Sequence, residues 1–486
     1  MMVEGRQGGQ GRQVRPALPA PPALPALFRA SALAAALAAA ATLTSHAQQP
    51  PPADRAEFTA ALAGDSIITR PISIYGEPEF MRLIEVVRGA DAAFTNLEML
   101  FHDYESYPMH ESGGTWMRAD PALVKDLVWA GFDLVSRANN HAGDYGVGAM
   151  RLTTKYVREA GLVQAGVGES LAEAREARFL ETPKRRVAFI STASTFPDHS
   201  RASDTRGDVP ARPGLNPLRF TTTTVVSRDK LEALRGLARD LGVQGRSDGD
   251  SLTLFGRRFV GGDQPGTRTE PNKADVEGMA RVVRSAARMA DATIVSVHAH
   301  EGGKDRTQPA DFLIAFAHAM IDAGADIVVG HGPHVVRGIE IYKGKAIFYS
   351  VGDFIFENET LLRFPADAYE AIGLGRESEI GDFNETRSDH DRRGFNADRE
   401  VWESFVATVQ WSGRQITGIR LHPISLGFGL PMSERGRPKL ADAALAKHIL
   451  ENVIARSAPF GTRIVDENGI GRIVLPESTS SVARPF

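Results

Sequence analysis

Side chains that could bind a metal follow five apolar segments of the chain. In chain order they are Asp65, Asn96 with Glu98, Asn140 with His141, His298 with His300, and His331 with His334. They combine carboxylate, carboxamide and imidazole groups, and the chain has no cysteine that could add a thiolate. This donor set suits Mn, Fe or Zn ions. Two such ions about 3.5–4 Å apart can clamp a phosphoryl group and activate water, so we predict a two-ion centre with Asp65 or Glu98 as the bridging carboxylate.

The stretch Gly131–Gly146 concentrates these groups. Its apolar run Phe132–Val135 predicts a short buried strand, which leads to Asn139, Asn140 and His141. Polar groups gathered where a strand ends can face a ligand, as they do in open α/β sheets. An Asn carbonyl oxygen can bind a hard metal, and a His ring can bind a metal or carry a proton near neutral pH. The same residues would also form a polar turn with an Asn-rich cap, and this segment alone does not distinguish the two interpretations.

Strand-like and helix-like segments alternate along most of the chain. Short apolar runs predict strands at Phe58–Ala63, Ala92–Thr95, Leu162–Val167, Arg186–Thr192, Ala292–Val297 and Asp326–Val329. Longer segments predict helices at Pro78–Gly89, Gly146–Ala160, Leu171–Arg178, Ala274–Ala290, Pro309–Ala323 and, as the terminal helix, Ala441–Arg456. Hairpins are predicted around Lys343-Gly344 and Ser412-Gly413. The alternation predicts an α/β fold.

Two segments interrupt this pattern. Residues 197–266 scatter Arg, Asp, Gly and Pro around one predicted helix, Ser227–Leu241, and one strand, Ser251–Phe259. We interpret them as an insertion or a lid over the site. Residues 361–400 are rich in charge and Gly, which predicts a mobile loop. The folded domain is expected to span residues 58–465, followed by a C-terminal tail, 466–486.

Composition and the N-terminal sequence narrow the classes of function. The chain of 486 residues has a formal net charge of −4 and no long basic stripe, which argues against nucleic acid as a partner. Basic residues precede an Ala/Leu run at about Ala30–Leu43 and then Ser45-His46-Ala47, which predicts a cleaved signal peptide, residues 1–47, and a linker, 48–57. No run has the length of a permanent membrane span. We expect an exported protein, periplasmic or extracellular, and the alternative is a leader retained in the cytoplasm.

Six motifs occur in an order that resembles the CapA/PgsA family. They are Gly64-Asp65, Asn96-Leu97-Glu98, Ala138–Gly146, Val297–Glu301, Gly330-His331-Gly-Pro-His334 and Ile347–Gly352. Members of that family are bacterial capsule or poly-γ-glutamate biosynthesis proteins related to the calcineurin-like metallophosphoesterases. The resemblance covers about Phe58 to Thr462. It implies a four-layer αββα metallophosphoesterase-like sandwich with inserted loops, two divalent metal ions, and a capsule or envelope polymer, or its biosynthesis complex, as partner.

The resemblance also implies a role for each site residue. The implied ligands of the first metal are Asp65 and His334, with Glu98 as the bridge. The implied ligands of the second metal are Asn140, His298 and His331. His141 would be catalytic, because it follows the ligand Asn where the superfamily keeps a His that stabilises or protonates the leaving oxygen. The residues expected to brace these groups are Asn96, Asn139, Asp144, His300 and Glu301.

Two departures from the family pattern predict a weak first metal site. The chain has Gly352-Asp353-Phe354 where the family usually has Gly-Asn-Phe. It also has Ser66 and Ile67 after Asp65, in place of the Asp-x-His opening of the phosphoesterases. We therefore expect the first metal to be short of one ligand.

Three functions are compatible with these features. The first is metal-dependent hydrolysis of a phosphoester or related envelope-polymer bond by an exported protein. The second is a capsule assembly or transport component that binds polymer or metal without turnover. The third is a periplasmic ligand-binding protein. The retained ligand types favour metal chemistry over the third function. A site that binds a substrate and a site that cleaves it use the same metal ligands, so the sequence does not distinguish the first two functions.

Overall fold

The computed structural model describes residues 57–243 and 245–476. The predicted signal peptide 1–47, nearly all of the linker 48–57 and the last ten residues of the predicted tail lie outside this part of the chain. Among the described residues, no helix is long and apolar enough to cross a membrane.

The strands of the described residues are numbered in chain order. They are β1 (Phe58–Ile67), β2 (Ala92–Leu97), β3 (Leu100–Phe101), β4 (Arg118–Ala119), β5 (Leu134–Ser136), β6 (Val163–Ala165), β7 (Val167–Gly168), β8 (Arg178–Glu181), β9 (Arg186–Ala193), β10 (Gly214–Leu215), β11 (Phe220–Val226), β12 (Arg246–Asp248), β13 (Ser251–Leu254), β14 (Arg257–Gly261), β15 (Gly266–Pro271), β16 (Ala292–His298), β17 (Ile327–His331), β18 (Ile339–Tyr342), β19 (Lys345–Phe348), β20 (Asp353–Phe356), β21 (Glu403–Ser412), β22 (Gln415–Ser425), β23 (Lys439–Leu440), β24 (Arg463–Glu467) and β25 (Ile470–Val474).

The α-helices of the same residues are numbered in the same way. They are α1 (Pro78–Arg88), α2 (Val124–Ala130), α3 (Gly146–Glu159), α4 (Leu171–Arg175), α5 (Arg228–Asp240), α6 (Lys273–Ala286), α7 (Asp311–Asp322), α8 (Ala366–Ala371), α9 (Ile380–Ser388) and α10 (Ala443–Ser457). Short 3-10 helices lie at Pro121–Leu123, Asp198–Ser200, Asn358–Thr360, Gly394–Ala397, Arg399–Trp402 and Ala458–Phe460.

Two large sheets contain the strands that carry the predicted site. The larger sheet has the order β24-β25-β22-β21-β1-β2-β5-β6, with β20 beside β1 and β23 beside β22. The second sheet has the order β18-β19-β17-β16-β9-β8. Parallel strands form one side of the larger sheet, namely β1, β2, β5 and β6, and the middle of the second sheet, namely β9, β16, β17 and β19. Helices separate most of these strands along the chain, which confirms the predicted α/β class.

Three apolar clusters hold the sheets and helices together. One joins α1 and α2 to the larger sheet. A second contains side chains from both large sheets, including Phe94 and Phe189, whose ring centroids lie 5.6 Å apart. A third joins α6 and α7 to the second sheet. The structure is therefore a mixed α/β fold in which each sheet has a helical cover and shares apolar contacts with the other.

Helix α1 shows how the sequence determines one of these contacts. Pro78 occupies its first turn, where the missing N–H costs no intrahelical bond. Phe80, Leu83, Ile84 and Val87 recur at helical spacing and are fully buried. Burying each of these side chains is worth roughly 1.5–3 kcal/mol, so the helix is held by packing more than by its own propensity.

Strand β1 is longer than the sequence predicts. The predicted strand ends at Ala63, whereas β1 continues to Ile67 and contains Asp65. The extra residues gain a partner from a distant part of the chain, since Asp65 pairs with Asp353 and Ile67 with Phe356 on the parallel strand β20. A pairing between residues so far apart in sequence leaves no local signal, and the predicted strand end was therefore too early.

Both interrupting segments contain more regular structure than predicted. The insertion forms a separate sheet, β12-β13-β14-β11-β15, which extends to Pro271 and packs on α7 through stacked rings of Phe220 and Phe312, 4.3 Å apart. The start of the insertion reaches the predicted site, where His199 Nε2 lies 3.4 Å from Gly143 O. The segment 361–400, predicted to be a loop, contains α8 and α9.

The fold continues past the predicted boundary at residue 465. Strands β24 and β25 form a hairpin that joins the larger sheet through Arg420 with Arg472 and Leu421 with Gly471. Residues 466–474 are therefore part of the sheet, and the prediction of a tail is wrong for them. Helix α10 is the last α-helix of the described residues, as predicted, and the hairpin follows it.

We predict that Gly64→Ala destabilises the fold where β1 meets β20. A Cβ at position 64 would lie 1.8 Å from Gly352 O and 2.6 Å from Gly352 C, and backbone atoms cannot move aside as a side chain can. Overpacking of this kind costs about 1–3 kcal/mol or more. Urea denaturation of the purified protein measures the loss.

Gly76→Ala is the matched control, because a Cβ at position 76 would meet no atom within 4 Å. Its unfolding midpoint should equal that of the wild type within error. Equal midpoints for both variants would contradict the close approach of Gly64 to Gly352.

Candidate metal centre

Strand register brings the predicted ligands together. In the larger sheet Asp65 lies between Asn96 on β2 and Asp353 on β20. In the second sheet His298 pairs with His331. Because parallel strands align the same ends of neighbouring segments, residues far apart in sequence meet at one edge. The centre thus draws its side chains from both large sheets.

The structure contains three groups of buried or half-buried side chains whose donor atoms lie close enough to share a cation. The groups, found among the described residues, are Asp65, His298 and His331; Glu98, His300 and His334; and Asp65, His334 and Asp353. Within each group the donor atoms lie within 4.8 Å of one another. Asp65 belongs to two groups and Glu98 to one, which favours Asp65 for the bridging position.

Imidazole nitrogens approach one another at the centre of the site. His298 Nδ1 lies 3.1 Å from His331 Nδ1, and His298 Nε2 lies 2.9 Å from His300 Nε2. A nitrogen lone pair cannot face another lone pair at this distance without a proton or a cation between them. Since His298 has both nitrogens in such contacts, the arrangement fits a cluster built to share protons or to bind metal.

Three buried oxygen atoms at the centre have no hydrogen-bond partner in the described part of the chain. They are Glu98 Oε1, Asn140 Oδ1 and Asp353 Oδ2. Leaving such an acceptor unsatisfied costs about 1–3 kcal/mol, more if it is charged. Asn140 is held with its oxygen free because its Nδ2 donates to Gly113 O, 2.8 Å away. Oxygen and imidazole donors of this kind fit the Mn, Fe or Zn ions predicted from the sequence.

Burial and charge shift the pKa values of the carboxyl groups. Burial raises the pKa of Glu98 well above its usual range, and the charges of Asp65 and Asp353 add to that effect. Burial likewise raises the pKa of Asp353 to about 6, although His334 opposes the shift. Burial also acts to raise the pKa of Asp65, but the hydrogen bond and charge of His331, with the charge of His334, bring it below its usual value.

The histidines divide into two kinds. Burial lowers the pKa of His298 well below its usual range and that of His300 to about 3, so both rings are neutral near pH 7 and offer lone pairs. Burial opposes protonation of His334 too, but the neighbouring charges of Asp353 and Asp65 raise its pKa. A positive charge is therefore favoured between these two carboxylates, as a proton on His334 or as a bound cation.

The turn after β17 holds His334 in an unusual conformation. His334 has a φ of 55°, in the left-handed region, and its Nδ1 lies 2.8 Å from Asp353 Oδ1. Gly332 precedes it with a φ of 114°, and a Cβ there would lie 3.0 Å from both His298 Cε1 and His300 Cδ2. Strain of this kind persists where surrounding contacts fix it, often at a functional site.

His141 stands apart from the three groups and is oriented by Asp144. Its Nδ1 lies 2.7 Å from Asp144 Oδ2, and its Nε2 lies 3.7 Å from Glu98 Oε1. Asp144 also accepts the backbone N–H groups of Gly113 and Met117, so it acts as an acceptor and the His141 Nδ1–H donates to it. This leaves Nε2 on the side of the ring that faces Glu98.

The residues predicted to brace the ligands have different contacts. Asn96 Nδ2 lies 2.7 Å from Asp65 Oδ1, and Asn139 Nδ2 donates to Asn96 Oδ1 and to Leu97 O. Glu301 accepts the hydroxyl groups of Ser194 and Thr195, so it holds the loop after β16. His300, in contrast, contributes to one of the three groups and is placed as a donor.

Asp353 and Ser296 belong to the site and were missed as site residues from the sequence. Asp353 was recognised only as a departure from the family pattern, yet it completes a group with Asp65 and His334 and so supplies the donor predicted to be lacking. The available signal was its position directly after Ile347–Gly352, one of the six motifs that carry the family resemblance. Ser296 Oγ lies 2.7 Å from His331 Nε2, and a lone Ser within a buried strand gave no signal.

Fold and site define a mixed α/β protein with a buried histidine–carboxylate centre suited to divalent metals. The chain belongs to the bacterial capsule synthesis protein family PGA_cap, whose family model matches residues 59–358. This matched region contains every group of the centre. The resemblance to CapA/PgsA proteins is therefore confirmed.

Individual relatives extend the match beyond the family model. The chain is 40% identical over 432 residues to protein y4sH of Sinorhizobium fredii, covering 86% of this chain and 93% of that protein. It is 26% identical to the capsule biosynthesis protein CapA of Bacillus anthracis, covering 62% of this chain and 60% of that protein. Among solved structures, the NAD nucleotidase NadN of Haemophilus influenzae is similar at 9% identity and a TM-score of 0.27, covering 81% of this chain and 55% of that one.

We predict that His331→Ala removes most of the bound divalent metal. The substitution deletes a nitrogen donor shared with Asp65 and His298, and one lost donor weakens a site of three or four. Metal content of the purified protein, measured by elemental analysis, should fall by at least about half. His448→Ala is the control, because His448 lies away from the groups beside Glu403. Equal metal content in all three proteins would contradict the assignment.

We predict that metal uptake releases protons, and more of them at pH 6 than at pH 8. The raised pKa values of Glu98, His334 and Asp353, the last about 6, keep these groups partly protonated in the metal-free protein. A cation favours their deprotonated forms, so affinity should fall as the pH falls through about 6. Calorimetric titration in two buffers with different ionisation enthalpies measures the release. Identical heats in both buffers at pH 6 would contradict it.

Proposed function

We propose that this protein is a metal-dependent hydrolase that cleaves a phosphoester or related bond in an envelope polymer. The observation that carries the proposal is the His141–Asp144 pair beside three groups of metal donors. A centre that only bound metal would need the donors, but it would have no use for an oriented histidine outside them. Membership of a capsule synthesis family supports the envelope as the setting.

The proposal includes a four-layer αββα arrangement like that of the metallophosphoesterases. The three apolar clusters support it, because one covers the larger sheet with α1 and α2, one joins the sheets, and one covers the second sheet with α6 and α7. The site lies where the joined sheets carry Asp65 and His331 to a common edge. Two sheets packed in this way would leave their shared edge open for a ligand.

The proposed cofactors are two divalent ions, with Mn, Fe and Zn as the candidates. Asp65, His334 and Asp353 would hold one ion, and Asp65 with His298 and His331 would hold the other. Asn140 Oδ1, buried without a partner, points to a further ligand. When bound, such ions polarise a phosphoryl oxygen and lower the pKa of a coordinated water.

The chain's own residues would orient the substrate and move the proton. His141 Nε2 faces the centre at 3.7 Å from Glu98 Oε1, so it can donate a proton to the oxygen of the departing group. Asp144 holds the ring and keeps the other proton on Nδ1. General acid assistance of this kind contributes about 10²–10⁴-fold to rate.

A capsule assembly or transport component that binds polymer or metal without turnover is the alternative. The names of relatives favour it, since the chain is 41% identical over 119 residues to a probable polyglutamine synthesis accessory protein of Mycobacterium tuberculosis, covering 24% of this chain. In this alternative the protein acts within a biosynthesis complex. Both functions use the same donors and differ in what His141 does.

We predict that His141→Ala keeps the metal and loses rate. Hydrolysis of a phosphodiester with a poor leaving group should slow by about 10²–10⁴-fold, while an activated aryl phosphate, whose leaving group needs little protonation, should be affected less. Asn140→Ala should instead lower metal content, because it removes a donor oxygen. Metal analysis and initial rates on both substrates measure these effects.

Two results would decide against this division of roles. Loss of metal from His141→Ala would make His141 a ligand. A fully metallated wild type that hydrolyses no phosphoester would remove the hydrolase and leave the assembly component.

We further propose that the protein is exported and acts in the periplasm or outside the cell. The basic, then Ala/Leu-rich leader before Ser45-His46-Ala47 supports this. The mature protein from its native host is predicted to begin at or near Gln48, which N-terminal sequencing measures. A full-length chain in the cytoplasmic fraction would contradict export.

A further inference from the structure

A cavity of about 340 Å³ lies beside the candidate metal centre. Its walls come from the 3-10 helix Asn358–Thr360, the helix α9, the segment 393–398 and the side chain of Arg306. A cavity of this size accommodates a small polar group or one unit of a larger molecule. Most of its lining residues, from Asn384 to Asp398, lie within the segment 361–400 that was predicted to be a mobile loop.

Phe395 connects the cavity to the metal centre. Its ring lines the cavity, and its centroid lies 5.3 Å from that of His334, which belongs to two of the donor groups. Asn358 also lines the cavity, and its Oδ1 accepts the Thr115 hydroxyl group at 3.5 Å. Thr115 is two residues from Gly113, whose carbonyl oxygen accepts Asn140 Nδ2. The cavity therefore adjoins the candidate metal centre at Phe395.

The charges of the cavity leave one arginine without a partner. Of the two acidic lining residues, Asp398 is paired with Arg306, and Glu359 is paired with Arg435, which lies outside the lining. Arg387 contributes a half-buried guanidinium that makes no hydrogen bond or ion pair within residues 57–243 and 245–476. Only the more distant charge of Glu359 acts on it.

Neutral polar side chains share the cavity with Arg387. Asn384, Asn396 and Ser388 line the same cavity as Arg387, and the amide nitrogens of the two asparagines are held by Glu359. Burial lowers the pKa of Arg387, as expected for a cation that has lost water without gaining a matching anion. A guanidinium presents a planar fork that matches a carboxylate or a phosphate.

We propose that the Arg387 cavity is a substrate subsite that binds a carboxylate or phosphate group next to the bond held at the metal centre. This inference rests on the proposed function for its location along the substrate, but binding of the anion itself needs no turnover. The subsite selects substrates that carry a second negative group at a fixed distance from the reacting one. Neutral molecules of the same shape lack the negative group that would pair with the Arg387 guanidinium.

The experiment measures binding of three probes by calorimetry: glutarate, inorganic phosphate and the neutral glutaramide. Each is titrated into the protein as purified and again after chelation of metal, because phosphate can also bind a metal directly. Wild type should bind glutarate or phosphate in both states, and the probe that binds more tightly after chelation identifies the chemistry of the group. Glutaramide should bind at least about tenfold more weakly, the loss expected for one charge-assisted hydrogen-bonded pair.

Three variants assign the binding to Arg387. Arg387→Gln should lose at least about tenfold in affinity for the anionic probe, and Arg387→Lys should retain part of it because the charge remains without the fork. Arg376→Gln makes the same change of charge at an exposed position outside the cavity and should bind as wild type. Circular dichroism and melting temperature test whether each variant is folded. If Arg387→Gln is not folded, the affinity of Arg387→Lys for the anionic probe tests the proposal.

The outcomes separate this proposal from the hydrolase. Equal affinity of wild type and the two Arg387 variants for the tighter anionic probe, or binding of glutaramide as tight as that of the tighter anionic probe, would overturn the subsite even if phosphoesters are hydrolysed. Arg387-dependent binding in a protein that hydrolyses no phosphoester would uphold anion binding at the cavity and remove the catalytic role of the centre.

Discussion

The buried carboxylate of Asp65 is the constraint on which the rest of the centre depends. Its side chain is inaccessible to solvent, and Asn96 Nδ2, the Gly332 N–H and His331 Nδ1 surround it at 2.7, 2.9 and 3.2 Å. Burying an uncompensated carboxylate costs several kcal/mol, so these contacts are needed for Asp65 to remain inside the fold. Asn96 belongs to the larger sheet and His331 to the second. One ionised group therefore joins the two sheets, and the contacts that keep it inside the fold also position it as a candidate metal ligand.

Structural features that depend on residues close together in the sequence were predicted well. The ligand candidates Asp65, His298 and His331 were identifiable because each comes late in, or directly after, an apolar run, and strand periodicity is a local property. The helices α1 and α3 were predicted nearly to their ends for the same reason. The boundaries of β1 and the hairpin β24–β25 were not, because both depend on partners that are distant in sequence: Asp353 in one case and the strand β22 in the other.

Within the centre, the errors of prediction also follow from long-range pairing. His300 was expected to brace the ligands, and the structure places it in a group with Glu98 and His334, its Nε2 2.9 Å from His298 Nε2. Asp353 was weighed only against a family pattern, whereas its importance comes from the register that places it beside Asp65 and from its contact with His334. A sequence gives the types of donor available, but the set that shares one cation is defined by register and by the left-handed turn at His334.

The arrangement of the centre also bears on whether the protein only binds its ligand or also cleaves it. Converging imidazoles and partnerless oxygens violate the rule that buried polar groups are satisfied, and such violations are expected where a site awaits a ligand. They argue for a cation in either function. His141 is different, because Asp144 and the two backbone N–H groups that Asp144 accepts fix its ring without making it a donor to any of the three groups. Fixing a side chain costs conformational entropy, and a purely structural histidine could satisfy Asp144 without directing its second nitrogen at Glu98. The orientation of His141 toward the candidate donors is therefore the feature that the proposed hydrolase uses and the proposed binding component does not require.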